Sequence, residues 1–429
     1  MVRREENKGD SGLAQLYPEL LRCNRCGFCQ GSCPTYKVTG LETAVARGHH
    51  SLLREIIEGR LDLSKETRGL LYGCLLCRGC VPPCMPAVET DKVVVRAREA
   101  YVDKFGLPWS RRWLFRSFLA STLLPSMASK VLALLRAAQI PRIARAVAGQ
   151  KSASLLAYTG VLPGPPGFQT LRQRLVSKGL IKGGGKGKRV TYFIGCGFNY
   201  LLPNVGEATV SLLNRLGFDV MLVNHVCCGL PAYAYGDRKG AQSMARKNLR
   251  QLLSLDTEAV VTECASCSSF LKEYRQLLAD DTEYAEQAAR LSQKVKDINE
   301  ILADNISLIR PRHAKTDTRV TYHDPCHLVR YQGIKEQPRE LLKSLGNLEF
   351  HELAEADWCC GAAGTYCLEN PHESMEVLER KMLNLQASGA QVLVTSCPAC
   401  ILQLSLGVRQ RGWPIKVVHL TEIMAQASR

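Results

Sequence analysis

Eighteen of the nineteen cysteines in this 429-residue chain fall into fixed, closely spaced patterns, and those patterns restrict the fold more than any other feature of the sequence. Eight form two runs of identical spacing: Cys23, Cys26, Cys29 and Cys33 in CNRCGFCQGSCP, and Cys74, Cys77, Cys80 and Cys84 in CLLCRGCVPPC. Ten more come as two sets of five: Cys196, Cys227, Cys228, Cys264 and Cys267, then Cys326, Cys359, Cys360, Cys397 and Cys400. The offsets between the sets are 130, 132, 132, 133 and 133 residues, so the second half of the chain reads as a duplicated module. The N-terminus, MVRREENKGD, has no apolar leader core. Thiols in CxxC spacing behind such a start are expected in a reducing compartment, bound to metal rather than joined in disulfides.

Each run has the spacing C-x2-C-x2-C-x3-C, in which a short loop offers three thiolates to one four-iron cubane and the displaced fourth cysteine reaches the other cluster. Cys23, Cys26, Cys29 and Cys84 are therefore expected at one [4Fe-4S] cluster, and Cys74, Cys77, Cys80 and Cys33 at a second. Zinc would also take four thiolates but makes no demand for the x2-x2-x3 series. The second run departs in one respect: Met85 stands between Cys84 and Pro86, whereas Pro34 directly follows Cys33. The five-cysteine sets offer more soft ligands than tetrahedral zinc or a cubane accepts, so either one thiol is idle or the centre is unusual. Structural zinc and inert buried thiols stay open on the residues alone. Cys367 is left over and is expected to be a packed free thiol.

Length predicts two or three domains. Residues 1–103, holding both runs, predict a small helical domain, with helical apolar spacing at Leu52, Leu53, Ile56 and Ile57. From residue 189 the chain alternates short apolar runs (VTYFIGC, FDVMLV, AVVTECASC) with helical stretches, which predicts parallel-sheet α/β modules over 189–310 and 311–429. The expected fold is thus α+β and multidomain: a helical two-cluster ferredoxin-like domain followed by two repeated α/β modules. In such modules the cysteines should converge at the carboxyl ends of the strands.

Between the halves lies a connector, 104–188, whose charge is one-sided. From Lys104 to Arg189 there are sixteen Lys or Arg and no Asp or Glu, which accounts for the whole net charge of +16. Apolar positions Met127, Val131, Leu134, Leu135 and Ala138 share one helical face, and Trp109, Trp113 and Phe115 precede them. A membrane-surface anchor explains charge, apolar face and aromatics together. An acidic protein partner explains the charge as well. Nucleic acid explains the charge only, without a recognition fold, and is not expected as a partner. The longest apolar stretch, Trp113 to Ile140, carries Arg116, Lys130 and Arg136 and is broken by Pro125, so no membrane span is expected. The GGGKGKR at 183–189 lacks the GxxxxGK[ST] spacing and reads as a linker, and no GxGxxG follows a strand, so a flavin or nucleotide should sit elsewhere. His323 and His327 flank Cys326 and are expected to hydrogen-bond around that site rather than ligate. His49 and His50 are expected at a solvated helix end.

The order of one early cysteine, then CCG, then CxxC, given twice behind a two-cluster run, resembles the cysteine-rich CCG domain of heterodisulfide reductases. Nearly the whole chain is similar to the iron–sulfur subunit of glycolate oxidase, including GFCQGSCPTY, LNRLGFDVM, FLKEYRQLLADDTEYAEQA and CCGAAGTY. The iron–sulfur subunit of anaerobic glycerol-3-phosphate dehydrogenase shares the plan. The resemblance implies that each CCG set holds a non-cubane iron–sulfur cluster. It also implies electron transfer from a separate FAD-bearing 2-hydroxy acid oxidase subunit toward a membrane quinone or other carrier, with a cytoplasmic or peripheral membrane location. Both cysteines of CPAC at 397–400 are present, which favours a complete cluster in each half. A disulfide reductase of the heterodisulfide type is the alternative it allows. Anaerobic purification should give a brown protein rich in iron and acid-labile sulfide; a colourless zinc protein would overturn the cluster assignment.

Overall fold

The computed structural model describes residues 11–138, 157–162, 169–181, 187–310, 317–346 and 348–428. The glycine-rich stretch read as a linker lies mostly outside them. The expected class is found: a helical N-terminal region, then two parallel-sheet α/β modules. In the first module β1 (Arg189–Tyr192), β2 (Asp219–Met221), β3 (Ala259–Thr262) and β4 (Val295–Asp297) run in the order β2-β1-β3-β4. In the second, β5 (Arg319–Tyr322), β6 (Glu349–Phe350), β7 (Val392–Thr395) and β8 (Lys416–His419) repeat it as β6-β5-β7-β8. Every pairing is parallel. Central strands such as AVVT are buried along their whole length, because helices cover both faces of a parallel sheet.

The two modules pack reciprocally. Helix Pro203–Arg215 of the first lies on helix Leu420–Ala427 of the second, and helix Ile298–Asp304 lies on helix Glu336–Ser344. Helices 203–215 and 336–344 are equivalents one repeat apart, as are 298–304 and 420–427, so the modules face each other across an approximate two-fold axis. Val190, Tyr192 and Val261 share one apolar core with Val320, Tyr322 and Val394. This arrangement turns the carboxyl ends of both sheets toward each other.

The N-terminal helices are joined to the first module by a second core, in which Leu53, Ile56 and Val93 meet Phe193, Met244 and Phe270. The loop of the second cysteine run is held from both sides. Arg330 and Tyr331 of the second module donate to the carbonyls of Cys77 (3.1 Å) and Leu76 (2.8 Å), while Arg98 donates to Cys74 and Ala234 (2.7 Å each).

One expectation is corrected here. His49 and His50 are not at a solvated helix end; they lie inside helix Ala46–Ile57 and are buried at 1% and 4% exposure. The buried stripe is Ala46, His49, His50, Leu53 and Ile56, a helical repeat that reaches one turn further toward the N-terminus than the leucines and isoleucines alone suggest. His50 Nε2 lies 3.2 Å from Thr90 Oγ1, and burial holds both imidazoles neutral, with His49 lowered to about 3 and His50 to about 4.

The loop after β5, which leads to Cys326, is fixed by a buried ion pair. Arg339 donates to both oxygens of Asp324, at 3.0 and 2.8 Å, and also to Glu352. Asp324 is 1% exposed, so Arg339→Leu strands a buried carboxylate. Such a loss costs about 3–5 kcal/mol. A urea-unfolding midpoint that does not fall in this variant would show that the pair is not holding the loop.

Candidate metal centres

Both N-terminal runs coil in the same way. Arg25 (φ 55°) and Gly27 (φ 87°) stand two and four residues after Cys23; Leu76 (φ 54°) and Arg78 (φ 56°) stand two and four after Cys74. Left-handed backbone at alternate positions curls the amides inward around an anionic guest, and the Leu76 amide donates to Cys74 Sγ at 3.4 Å. In the second run two residues with side chains adopt this conformation, at roughly 1–2 kcal/mol each.

The four thiols of Cys23, Cys26, Cys29 and Cys84 line one enclosed space, with Phe28, Arg47 and His50 in its walls. Those of Cys33, Cys74, Cys77 and Cys80 line the next, with His49 and Asp91. Cys80 and Thr90 border both spaces, so the two lie side by side. The outer one opens to solvent at Cys26, which is exposed, whereas Cys77 is buried. Burial pushes Cys74 up to about 12 and raises Cys80 well above its ordinary value. Four thiolates there need positive charge among them, which an iron–sulfur core supplies.

The five-cysteine sets sit at the carboxyl ends of the sheets. After β1, Cys196 opens helix Cys196–Tyr200; after β2 come Cys227 and Cys228; after β3, Cys264 precedes helix Ala265–Lys272 and Cys267 lies in its first turn. Cys326, the pair Cys359 and Cys360, and Cys397 with Cys400 repeat this after β5, β6 and β7. Sγ atoms of Cys196 and Cys227 are 4.0 Å apart, and those of Cys360 and Cys400 3.4 Å. Gly361 has φ 86°, and a Cβ there would stand 2.4 Å from the Ser374 carbonyl oxygen, so the third letter of CCG must be glycine in this module.

Both sets line one cavity of about 320 Å³, which also reaches Cys74. Within it the thiols hydrogen-bond one another: Cys227 and Cys267 draw Cys228 down to about 6, and Cys400 draws Cys397 down to about 6. The inner ferredoxin space touches the second module directly, since Cys77 packs with Cys359 in one buried cluster and its carbonyl accepts from Arg330. Ser266 Oγ, in the first module, lies 3.5 Å from Cys397 Sγ in the second. The thiol sites therefore form a continuous series from Cys26 at the surface to Cys196 in the first module.

Of the histidines, His327 Nδ1 lies 3.4 Å from Cys326 Sγ and its ring stacks on Tyr331 at 4.5 Å. His323 is closer to the thiols than the sequence suggests. One of its ring nitrogens and the thiols of Cys360 and Cys400 lie within 4.8 Å of one another, and both nitrogens lack a hydrogen-bond partner. Aligning VTYHDPC with VTYFIGC puts Phe193 at its place in the first module, which is the signal that could have singled it out. Nothing in the sequence pointed to Arg98 or to the Cys77–Cys359 contact. Cys367 is buried and donates to the Gly364 carbonyl at 3.6 Å.

This fold and these thiol sites define a multicentre iron–sulfur protein. A 4Fe-4S dicluster domain matches residues 19–87, and a Cysteine-rich domain, CCG, matches 190–272 and 320–405. The "Probable glycolate oxidase iron-sulfur subunit" of Bacillus subtilis (strain 168) is 33% identical over 96% of this chain and 94% of its own length. The "Glycolate oxidase iron-sulfur subunit" of Escherichia coli (strain K12) is 28% identical over 99% and 98%. "Lactate utilization protein A" of Oceanobacillus iheyensis is 33% identical over 55% of this chain and 96% of that one. The chain belongs to the glycolate oxidase iron–sulfur subunit family.

The crossed pairing of the two runs is directly testable. Cys84→Ser is expected to remove the cubane signal of the outer site in EPR and leave the inner one, and Cys33→Ser to do the reverse. If Cys84→Ser instead silences the inner site, the pairing is wrong.

Proposed function

We propose that this chain is the electron-carrying subunit of a flavin-dependent 2-hydroxy acid dehydrogenase, with glycolate as the first substrate to test and lactate as the second. The observation that carries this is the unbroken series of thiol sites, which is suited to moving charge through the chain rather than to transforming a substrate on it. Cys23, Cys26, Cys29 and Cys84 would hold one [4Fe-4S] cubane, and Cys74, Cys77, Cys80 and Cys33 the other. Cys196, Cys227, Cys228, Cys264 and Cys267 would hold one non-cubane cluster, and Cys326, Cys359, Cys360, Cys397 and Cys400 a second. Bound clusters supply one-electron carriers. The chain's own part is to hold them in sequence, to bury the inner ones and to set their potentials through amide and imidazole contacts to sulfur.

The 2-hydroxy acid would be oxidised on a partner carrying FAD, since no dinucleotide fingerprint follows a strand here. A position on the cytoplasmic face of a membrane accords with the exposed apolar face of helix Leu123–Ala137, although among the described residues no single helix is long and apolar enough to cross one. A second reading, reduction of a small disulfide, is favoured by one observation: both five-cysteine sets face the same cavity, as a bond cleaved between two centres would require.

Anaerobic purification from native expression decides between them. Co-purification of a flavoprotein, with bleaching of this chain's visible absorbance on adding glycolate or lactate, is expected. Turnover of a low-molecular-weight disulfide by a flavin-free preparation would put the second reading in its place.

A further inference from the structure

A second cavity, of about 260 Å³, reaches the thiols of Cys196 and Cys227 in the first module. It is built by the basic connector, and three of its features point to one kind of ligand. First, Arg172 lines it, and among the described residues its guanidinium forms no ion pair with an Asp or Glu. One of its N–H groups donates to the Val223 carbonyl and burial lowers its pKa, so a half-buried cation stands in the wall without a counter-charge. Tyr200 lines the same wall, its hydroxyl 3.4 Å from the Thr122 carbonyl.

Second, the rim is apolar on one side. Leu119, Leu123 and Pro125 line the cavity where helix Leu123–Ala137 begins. From there the outer face of the helix continues through Met127, Val131 and Leu134, each more than half exposed. Trp109 and Trp113, on the preceding helical turn, are also exposed. A ramp of this kind is unneeded by a hydrophilic carrier. Third, Cys196 and Cys227 of the first module line the cavity, so whatever they hold is within reach of it. The volume lies just below the usual range for small-molecule sites, roughly 300–1,000 Å³, and so suits a single small ring.

We propose that this cavity takes the head group of a lipophilic quinone drawn from the bilayer, with its tail along the exposed helix face and a carbonyl oxygen accepting from Arg172. The proposal rests on the relay reading and says where the relay ends. The quinone takes two electrons, arriving singly from the pair removed from the hydroxy acid, and two protons from water, and leaves as the quinol. No bond to the protein forms. Arg172 offsets the negative charge that builds on the quinone oxygen after the first electron, a role that fits an unpaired cation in a partly desolvated wall.

The test uses the full chain with its clusters, without the flavoprotein, in phosphatidylcholine vesicles containing a short-chain quinone with a photoactivatable azido group. Illumination should label segments 119–126 and 196–200. Arg172→Gln should weaken binding roughly tenfold or more, and Leu123→Glu with Met127→Glu should abolish labelling from vesicles. Both variants should keep wild-type iron content and reduction by dithionite, which separates a lost site from a misfolded chain. Labelling elsewhere, or an Arg172→Gln affinity within twofold of wild type, overturns the proposal. So does displacement of the probe by glycolate, which would make the cavity a carboxylate site. Because binding is read without the partner, failure here leaves the relay reading intact, whereas absence of iron or of a flavoprotein donor removes that reading first.

Discussion

Ten thiols packed at the facing ends of two parallel sheets cannot all be thiolates unless cations lie among them. Burial and shared hydrogen bonds push Cys196, Cys267 and Cys400 well above their ordinary values, while the same hydrogen bonds pull Cys228 and Cys397 down. Burial alone would keep most of these thiols neutral, so holding them as thiolates takes positive charge among them. Metal binding would release the remaining protons and fill the space between the modules. Because the thiols come from loops after six different strands, folding and metal loading are coupled in this region.

The duplication is exact in topology but not in chemistry. Phe193 gives way to His323, Gly197 to His327 and Glu263 to Ser396, each one repeat away and each within three residues of a cysteine. Tyr322 meets Ser396 at 3.0 Å, whereas Tyr192 faces the buried Glu263, whose carboxyl burial raises to about 8. The second module, which touches the ferredoxin loop at Cys77, thus sets His323 and His327 by its thiols, while the first sets Phe193 with His225 stacked on it, and the carboxyl group of Glu263, by its own. Two sites with the same five thiols are in this way given different electrostatic surroundings, as a series of carriers with distinct potentials requires.

Cysteine spacing made most of the architecture legible. It marked the duplication, because a rigid offset survives where the intervening residues diverge, and the alternation of apolar runs marked parallel sheets, because strands covered on both faces must be apolar throughout. It could not show the approximate two-fold axis, which depends on helix 203–215 finding helix 420–427 more than two hundred residues away. His49 and His50 escape the apolar-spacing signal because histidine is polar, although the helical repeat carries both onto the inner stripe. The cavity beside Arg172 was equally hidden, since residues 119–126, 172 and 196–200 meet only in three dimensions.

The charge of the connector has two uses that the sequence ran together. Much of it points inward: Arg111 pairs with Glu369 at 2.7 Å, Arg116 with the buried Asp237 at 2.7 Å, and Lys178 with Glu207 at 2.6 Å. These pairs fasten the connector across both modules, and Asp237 also caps helix Arg238–Leu252 through the Gly240 amide. An acid-free segment suits this task, because every carboxylate it meets belongs to another part of the chain and each pair is a tertiary contact. Such pairs use up cations that would otherwise be free to meet lipid headgroups. Among the described residues, what remains for a surface is the apolar face that starts at Leu123, together with the exposed Lys104, Arg112 and Lys130, while Arg172 lines the wall beneath it. The connector is thus a clamp over much of its described length and leaves an exposed apolar face at one end, next to the first module.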